Sequence, residues 1–429
     1  MGDSNRPPRR RKPPLPPLWR RQEHQLLKDV DESLGLVLWH AVRQVREWAE
    51  LSPDELATRQ REQTPESQAR QAFASIQAPE ISKALGTFAT LARSPRLVDA
   101  IGLAAACVTV ADWAEAHSLA ETSIQFAEAA AAVDPSSPHL ANRAGRACRR
   151  AAEFERAQEW YERAAALAST REFRTDRGNT DEYIRAHLGA ASAFYAQGRH
   201  AEAQPHLDRA AKRARSRNRR GPAGEASHDL MTLADAVGTF EEVVHHARAA
   251  LESYPVRHKR VPMLVMDFAY ALTRHGAADL ALRVLPRIVP LIEDPSIQVP
   301  LWGTIARARA LTRDRSGFEE AARRVTELAT IYDEWGAAAY WNVGEGACIL
   351  DEWDLAERFG ASALEFARER QDGMVARLAA DLLDRVAIRE RAPNFTRIDE
   401  SRLDRFVNEM IRRLMQWAEG RPRSRRSPP

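Results

Sequence analysis

Cysteine, lysine and long apolar runs are scarce in this chain of 429 residues. Its three cysteines, Cys107, Cys148 and Cys348, lie far apart in sequence, so neither a disulfide framework nor a cysteine metal site is expected. No stretch approaches the roughly 18 apolar residues of a membrane-spanning helix. The Arg/Pro-rich start also lacks the apolar segment of a secretion signal. These absences predict a cytoplasmic protein without disulfides, a metal site or an inserted membrane segment.

Signatures of catalysis are missing as well. The sequence has no Gly-rich phosphate loop, no Ser or Cys in a nucleophile context, and no paired carboxylates at the end of an apolar strand. The acidic pairs Glu241-Glu242 and Glu319-Glu320 precede apolar helical runs, where they would complement a helix dipole. We therefore expect a protein that is not an enzyme and that has no cofactor.

Basic charge is concentrated at the two ends of the chain. Residues 1–21 hold seven Arg or Lys against one Asp, and residues 420–429 hold four Arg and no acid, while the whole chain has a net charge of +3. The body between these ends is therefore net acidic. The Pro- and Arg-rich composition predicts that residues 1–21 and 420–429 are disordered tails.

An internal basic cluster lies at the end of a predicted helix and runs into a predicted loop between units at Gly221-Pro222, so that residues 212–220 are treated as a basic loop. Its members are Lys212, Arg213, Arg215, Arg217, Arg219 and Arg220. One interpretation is a solvated loop whose cations are favourable at a helix C-terminus, and the other is a contact for phosphate or an acidic partner. Nucleic-acid binding by residues 212–220 and the basic tails is thus an alternative function, weakened because no aromatic residues interleave.

A spacing of small and aromatic residues recurs seven times between about residue 97 and residue 370, and no block alternates as strands do. The clearest copy is Gly145, Cys148, Ala152, Phe154, Ala157, Tyr161 and Ala164. Small residues there would let two antiparallel helices approach closely. The predicted second-helix anchors, 35–46 residues apart, are Ala116, Ala157, Ala203, Val243, Ala281, Ala321 and Ala356. Gly198 is expected in a tight turn between two helices. In the sixth unit, Arg309 occupies a position where a small residue is expected, which predicts that the first helix of that unit is offset by one residue.

These segments resemble the tetratricopeptide repeat (TPR), a unit of about 34 residues made of helix, turn and helix with small residues at its packing points. The resemblance covers roughly two thirds of the chain, although most copies lack the first-helix Trp and only Pro255 closes a unit at the expected place. It implies an all-α fold, a right-handed α-solenoid of about seven TPR-like helix pairs with helical caps at both ends. A non-repeating alanine-rich bundle is the alternative.

Lysine supplies 5 of the 63 basic residues, a bias typical of GC-rich bacterial genomes.

Helical patterns outside the repeats complete a five-part organisation that includes the two tails. Residues 22–95 begin with a helix over Glu23–Glu50, continue at the capping signal Ser52-Pro53, and form a helical cap or a small leading domain. Residues 96–390 are the predicted solenoid, and residues 398–419 are a C-terminal amphipathic capping helix. Its apolar stripe contains Leu403, Phe406, Val407, Met410, Ile411, Leu414 and Trp417. The alternative is a helix for homodimerisation or partner docking.

The resemblance also implies a groove lined by the first helix of each unit, with ligand contacts from residues that project away from the packing positions. These residues are Asn142, Arg146, Arg149, Arg185, Tyr195, His228, Met266, Tyr270, Arg274, Trp341 and Glu345. For Met266 and Trp341 a core position is an equal alternative. The set suits an extended peptide or partner helix with acidic and apolar side chains. The implied function is a non-catalytic scaffold, adaptor or regulator with a protein or peptide partner.

Overall fold

The computed structural model describes residues 27–51, 55, 58, 79–170, 177–332, 335–391 and 400–419. Within these ranges the chain forms eighteen α-helices and no strand. In chain order they are α1 (Glu32–Glu50), α2 (Ser82–Arg93), α3 (Ala100–Ala116), α4 (Ala120–Val133), α5 (Pro138–Arg150), α6 (Phe154–Ala168), α7 (Arg177–Ala196), α8 (His200–Ser216), α9 (Arg220–Val237), α10 (Phe240–Ser253), α11 (Val261–Arg274), α12 (Ala278–Ile288), α13 (Pro295–Leu311), α14 (Arg315–Ala329), α15 (Gly336–Ile349), α16 (Trp353–Glu369), α17 (Gly373–Ala387) and α18 (Glu400–Glu419). The predicted tails and the Ser52-Pro53 signal lie outside the described residues.

The helices from α3 to α16 form seven consecutive pairs, which confirms the predicted all-α solenoid of TPR-like units. In six of the seven turns within a pair, one residue in the left-handed backbone region precedes the second helix by two positions, and Gly198 is one of them, with a φ of 70°. The next residue then caps the first helix, as where the Glu153 amide donates to the Cys148 carbonyl at 2.9 Å. The remaining turn uses a capping box between Thr239 and Glu242 at the start of α10.

The first pair corrects one predicted anchor. Ala116 is the last residue of α3 and so cannot lie in a second helix. The residue equivalent to Ala157, the fourth of α6, is Ser123, the fourth of α4. The sixth pair corrects a second anchor: the fourth residue of α14 is Phe318, and Ala321 is the seventh. The expected offset of one residue is not observed, because the small buried residue Ala306 precedes Phe318 by the same twelve residues as Gly145 precedes Ala157.

The chain divides into two compact units, Met1–Ala193 (unit 1) and Phe194–Pro429 (unit 2), with the boundary inside α7. In unit 1, α1 packs on α2 and α4, and α2 packs on α3. Helix α1 begins at Glu32 and not at Glu23, because the Asp31 side chain accepts a hydrogen bond from the Leu34 amide at 3.0 Å and caps it. The five-part organisation expected from the sequence is a different division of the chain and stays a prediction.

Glycine permits close helix contact in unit 1. A Cβ added at Gly145 would lie 2.9 Å from the Tyr161 ring, and one added at Gly189 would lie 2.3 Å from it. Both distances are shorter than any normal carbon contact, so the buried ring of Tyr161 fills the space that two missing side chains leave. The sequence spacing around Gly145 and Tyr161 therefore reflects packing between α5, α6 and α7.

Helix α18 lies against α11 and α12 of unit 2, and its apolar stripe faces them. The ring of Phe406 contacts that of Phe268 with 5.2 Å between centroids. Arg413 Nη2 donates to the Tyr254 carbonyl at 2.6 Å and to the Leu251 carbonyl at 3.2 Å, which satisfies the C-terminal end of α10. The predicted stripe is thus already covered within unit 2, and homodimerisation through α18, which stays a prediction, would have to use its other face.

Candidate functional site

Four first helices of unit 2 and the helix that follows the last pair bring their charged residues together in one series, which we call the ion ladder: Asp235 on α9, Arg274 on α11, Arg307 on α13, Glu345 on α15 and Arg385 on α17. Arg274 Nη1 lies 2.9 Å from Asp235 Oδ2, and Arg307 Nη2 lies 3.8 Å from Glu345 Oε2. Arg385 Nη2 pairs with the other oxygen of Glu345. The ladder therefore joins charges that are 33 to 40 residues apart in sequence from one member to the next.

The repeat architecture explains this arrangement. Consecutive helices of this series contact each other along α11, α13, α15 and α17, and every ladder residue lies in the C-terminal half of its helix. Arginine is favourable there because the C-terminal end of a helix carries partial negative charge. Trp341 and Glu345 are four residues apart on α15, so they share one helix face, and Tyr270 and Arg274 do so on α11.

Aromatic rings border the ladder. The guanidinium carbon of Arg307 lies 4.9 Å from the centre of the Trp341 ring, and that of Arg274 lies 6.0 Å from the Tyr270 ring. Burial raises the pKa of Tyr270, and burial together with the nearby Tyr270 raises the pKa of Tyr195. Both hydroxyls therefore stay protonated at neutral pH and can donate hydrogen bonds.

The ladder has three cations and two carboxylates. Burial alone would lower the pKa of Arg274, but Tyr270 and Asp235 raise it to a value above the ordinary one. Burial lowers the pKa of Arg307, whose nearest carboxylate, at 3.8 Å, is shared with Arg385. Arg307 is 5% exposed, and its Nε and Nη1 atoms have no hydrogen-bond partner among the described residues. Arg307 is thus the ladder cation without a carboxylate of its own.

His228 occupies a separate position on α9. Its Nε2 lies 2.8 Å from Asp267 Oδ2, and its Nδ1 lies 3.3 Å from the Tyr254 hydroxyl. The imidazole is buried. His228 therefore acts within unit 2 as a link between α9, α10 and α11, and not as a member of the ladder.

In unit 1, Asn142 on α5 and Glu182 on α7 form a buried pair. Asn142 Nδ2 donates to the Glu182 carbonyl at 2.9 Å and to its Oε2 at 2.7 Å. Arg185 and His139 contact the other carboxylate oxygen of Glu182. Burial would raise the pKa of Glu182, but these hydrogen bonds and the Arg185 charge hold it below the ordinary value. The carboxylate therefore stays ionised and holds α5 to α7.

The remaining predicted site residues of unit 1 lie on α5. Arg146 Nη2 and Arg150 Nη1 each lie 2.9 Å from the Glu115 carboxylate on α3. Arg149 lies beside the Tyr161 hydroxyl and lowers its pKa, although burial raises that pKa by more. Arg146 is exposed, so it is the member of this group most open to a partner.

The structure therefore distributes the eleven predicted contact residues over two units. Asn142, Arg146, Arg149 and Arg185 are in unit 1; Tyr195, His228, Met266, Tyr270, Arg274, Trp341 and Glu345 are in unit 2. Five of the unit 2 residues belong to the ladder or border it, whereas Met266 and Trp341 are both buried. Partner binding by these residues stays a prediction. Asp235, Arg307 and Arg385 were not predicted from the sequence, in which a charge near the C-terminal end of each helix was their one signal.

The basic cluster is more helical than expected. Lys212, Arg213 and Arg215 lie in α8, residues 217–219 form the turn, and Arg220 is the first residue of α9. Gly221 and Pro222 therefore begin a helix and do not form a loop, because proline needs no amide donor in the first helical turn. The predicted loop over 212–220 is thus wrong, and the short turn limits how far the arginines can reach.

Two further observations concern the described residues alone. No group of three or more His, Cys, Asp or Glu side chains is placed there to hold a metal ion. None of the helices that the structure describes is both long and apolar enough to cross a bilayer. Cys107, Cys148 and Cys348 are buried free thiols, and burial raises the pKa of Cys107 and of Cys148.

No family model matches the chain, and no curated protein matches it. Among solved structures, a Rap protein complexed with competence and sporulation factor has a TM-score of 0.50 at 9% identity, over 80% of this chain and 100% of that chain. The Rap conjugation gene regulator of plasmid pLS20 with the Phr* peptide has a TM-score of 0.46 at 13% identity, over 82% and 98%. The TPR domain of P58(IPK) has a TM-score of 0.22 at 13% identity, over 81% and 99%. Of these three structures, the first has a TM-score that reaches 0.5. At 9% identity, that similarity supports a shared fold and nothing more.

Proposed function

We propose that this chain is a non-catalytic adaptor or regulator that binds an extended peptide or a partner helix along the first helices of unit 2. The observation that carries the proposal is the ion ladder with its bordering aromatic rings. Its members Arg274 and Arg385 are 25% and 19% exposed, so the ladder reaches solvent. Charge-assisted hydrogen bonds and aromatic anchors are the contacts that give most of the energy at peptide and protein interfaces.

The spacing of the ladder suits an extended ligand. Neighbouring packed helices lie about 8–10 Å apart, and an extended peptide rises about 3.3 Å per residue. Each first helix would therefore meet about every third ligand residue. A ligand could then use charged and aromatic side chains of α11, α13 and α15 in turn.

The same side chains argue against catalysis. A guanidinium group is not deprotonated at physiological pH, so an arginine side chain is a poor general acid or base. The carboxylates of Asp235 and Glu345 are each paired with arginine, so neither is placed as a general base. The site is suited to holding a ligand in a fixed register.

Two lines support the proposal beyond the site itself. The solved structure with a TM-score of 0.50 is a Rap protein in complex with competence and sporulation factor, so a helical array of this fold can carry such a ligand. The three buried free thiols suit a reducing compartment, in agreement with the predicted cytoplasmic location. The residues Asn142, Arg146, Arg149 and Arg185 form a second predicted contact region, which belongs to unit 1.

The experiment is an affinity pull-down from extract of the native cells at moderate salt, with and without nuclease. It compares the wild type with a Tyr195→Ala/Arg274→Ala variant and with Arg323→Ala as a matched control. Arg323 lies on α14, outside the ladder, and pairs with Glu320 and Glu327 on its own helix. We expect a nuclease-resistant protein or peptide that the wild type and the control retain and the ladder variant loses.

The opposite result would support the alternative function, nucleic-acid binding by residues 212–220 and the basic tails. If nucleic acid alone is recovered, and the ladder variant retains it, the proposal fails. Binding should then decrease steeply with salt, because each phosphate contact releases a counterion. Substitution of Arg217 and Arg219 would be the next test of that alternative.

A further inference from the structure

We infer that Arg307 binds one carboxylate of the ligand, and this inference rests on the proposed function of the ion ladder. Arg274 has the carboxylate of Asp235, and Arg385 has that of Glu345. Arg307 has no carboxylate that pairs with it alone, since Glu345 also pairs with Arg385. Its one ion pair is the 3.8 Å approach to the Glu345 oxygen that Arg385 leaves free.

The burial of Arg307 makes the missing partner significant. The side chain is 5% exposed, and its Nε and Nη1 atoms have no hydrogen-bond partner in the part of the chain that the structure describes. A buried guanidinium with unmatched donors is strongly unfavourable unless an anion completes it. A group that lowers folding stability in this way is retained at functional sites, where a bound ligand supplies the missing acceptor.

Other unmatched donors belong to the side chains next to Arg307. Nε1 of Trp341, on which the Arg307 guanidinium stacks, has no partner, and neither does Nη1 of Arg385, which contacts the same Glu345 carboxylate. Among the described residues, Arg307, Trp341 and Arg385 therefore each have at least one N–H donor without an acceptor. A ligand group that accepts hydrogen bonds would match all three side chains.

Charge and shape select a carboxylate. The five ladder residues carry three positive and two negative charges, so one additional negative charge makes the site neutral. A phosphate dianion would leave a net negative charge beside Asp235 and Glu345. A carboxylate oxygen can also accept from Nε or Nη1 in the plane of a guanidinium whose face is covered by the Trp341 ring.

The ligand carboxylate can come from an Asp or Glu side chain or from a C-terminus, and a peptide experiment separates these sources. The probe is a synthetic library of random hexapeptides, incubated with the full chain and read by mass spectrometry of the bound fraction. The tightest peptide is then prepared in three forms: unchanged, with a C-terminal amide, and with each Asp or Glu replaced by Asn or Gln. Affinities are measured for the wild type, Arg307→Met, Arg307→Lys and the control Arg323→Met.

We expect that one of the two neutral forms binds the wild type and the control about 10- to 100-fold more weakly, as for loss of a charge-assisted hydrogen bond. With Arg307→Met the three forms should differ by less than about threefold, and Arg307→Lys should restore part of the preference. If every form binds the wild type equally, or if Arg307→Met keeps the preference, the inference is wrong while the proposed function stands.

A second measurement tests the anion site without any peptide. Thermal unfolding of the wild type and of Arg307→Met is followed with increasing sodium propionate, and with propionamide as the neutral probe, at constant ionic strength. A saturable increase in the wild-type Tm with propionate, absent with propionamide and absent in Arg307→Met, supports the carboxylate site. If that increase occurs but no hexapeptide binds, the peptide function fails and the site remains; if propionate has no specific effect, the inference is overturned.

Discussion

Arg307 and Trp341 lie on neighbouring first helices, and the guanidinium of Arg307 is stacked on the Trp341 ring at 4.9 Å. Both side chains are buried. The stack fixes the plane of the guanidinium but satisfies none of its N–H donors, since a ring face offers only a weak acceptor. Arg307 is therefore buried against a ring with unmatched donors, an arrangement that is unfavourable for a guanidinium.

The first prediction compares two arginines of the same ladder. Arg274→Met should lower the free energy of unfolding by about 1–3 kcal/mol, because it leaves the buried Asp235 carboxylate without its partner. Arg307→Met should leave it unchanged or increase it, because a buried charge without its own carboxylate is replaced by an apolar group. Urea unfolding followed by circular dichroism gives both values.

A double variant controls the first of these effects. Adding Asp235→Asn to Arg274→Met should restore part of the lost stability, since the unpaired charge is then gone. If Arg307→Met is the more destabilising of the two single variants, Arg307 is a structural residue and its place in the proposed site is wrong.

The second prediction concerns the glycine contact with Tyr161. Gly189→Ala should lower the free energy of unfolding by about 1–3 kcal/mol, since the new methyl group would overlap a buried ring. The matched control is Gly86→Ala in α2, where nothing lies within 4 Å of the added Cβ. That variant should increase stability by about 0.5–1 kcal/mol through helix propensity alone. Equal effects at both positions would show that the close approach at Tyr161 is incorrect.

The repeat architecture was predictable from the sequence, and the misplaced anchor Ala116 shows why the prediction had limits. Residues 122–133 of α4 are all buried. A helix buried on every side has no polar face, so its phase cannot be derived from hydrophobic spacing. The register of α4 is fixed by its packing against α1, α3 and α5, which no local pattern records.

The candidate site was predictable in part for a related reason. The TPR resemblance named Arg274, Trp341 and Glu345 because they share first-helix faces. Arg307 gave no such signal, since an arginine on a helix is usually solvated. Its burial and its lack of a partner arise from contacts with α15, more than 30 residues away in sequence.

The third prediction is a loss of stability in mild acid. Burial lowers the pKa of His206 and, together with His245, that of His246, so the folded protein keeps both imidazoles neutral. Below the ordinary histidine pKa of about 6.5, the unfolded chain binds protons that the folded chain does not. The free energy of unfolding should therefore decrease as the pH falls from about 7.5 to 5.5.

Substitution separates these histidines from other titrating groups. His206→Gln/His246→Gln should reduce the pH-dependent loss, measured as the difference in urea unfolding free energy between the two pH values. A loss of the same size in the double variant, or a stability that increases as the pH falls, would contradict the assignment.

The fourth prediction tests whether α18 belongs to its own chain. Phe406 is 1% exposed, contacts Phe268, and has the Arg248 guanidinium 4.4 Å above its ring. Phe406→Ala should therefore lower the free energy of unfolding by about 3–5 kcal/mol. Met415→Ala, on the same helix but 45% exposed, should change it by less than about 0.5 kcal/mol. Because the packing is intramolecular, the Phe406→Ala effect should be independent of protein concentration; an effect that diminishes with dilution would mean that α18 is bound by a second copy of the chain.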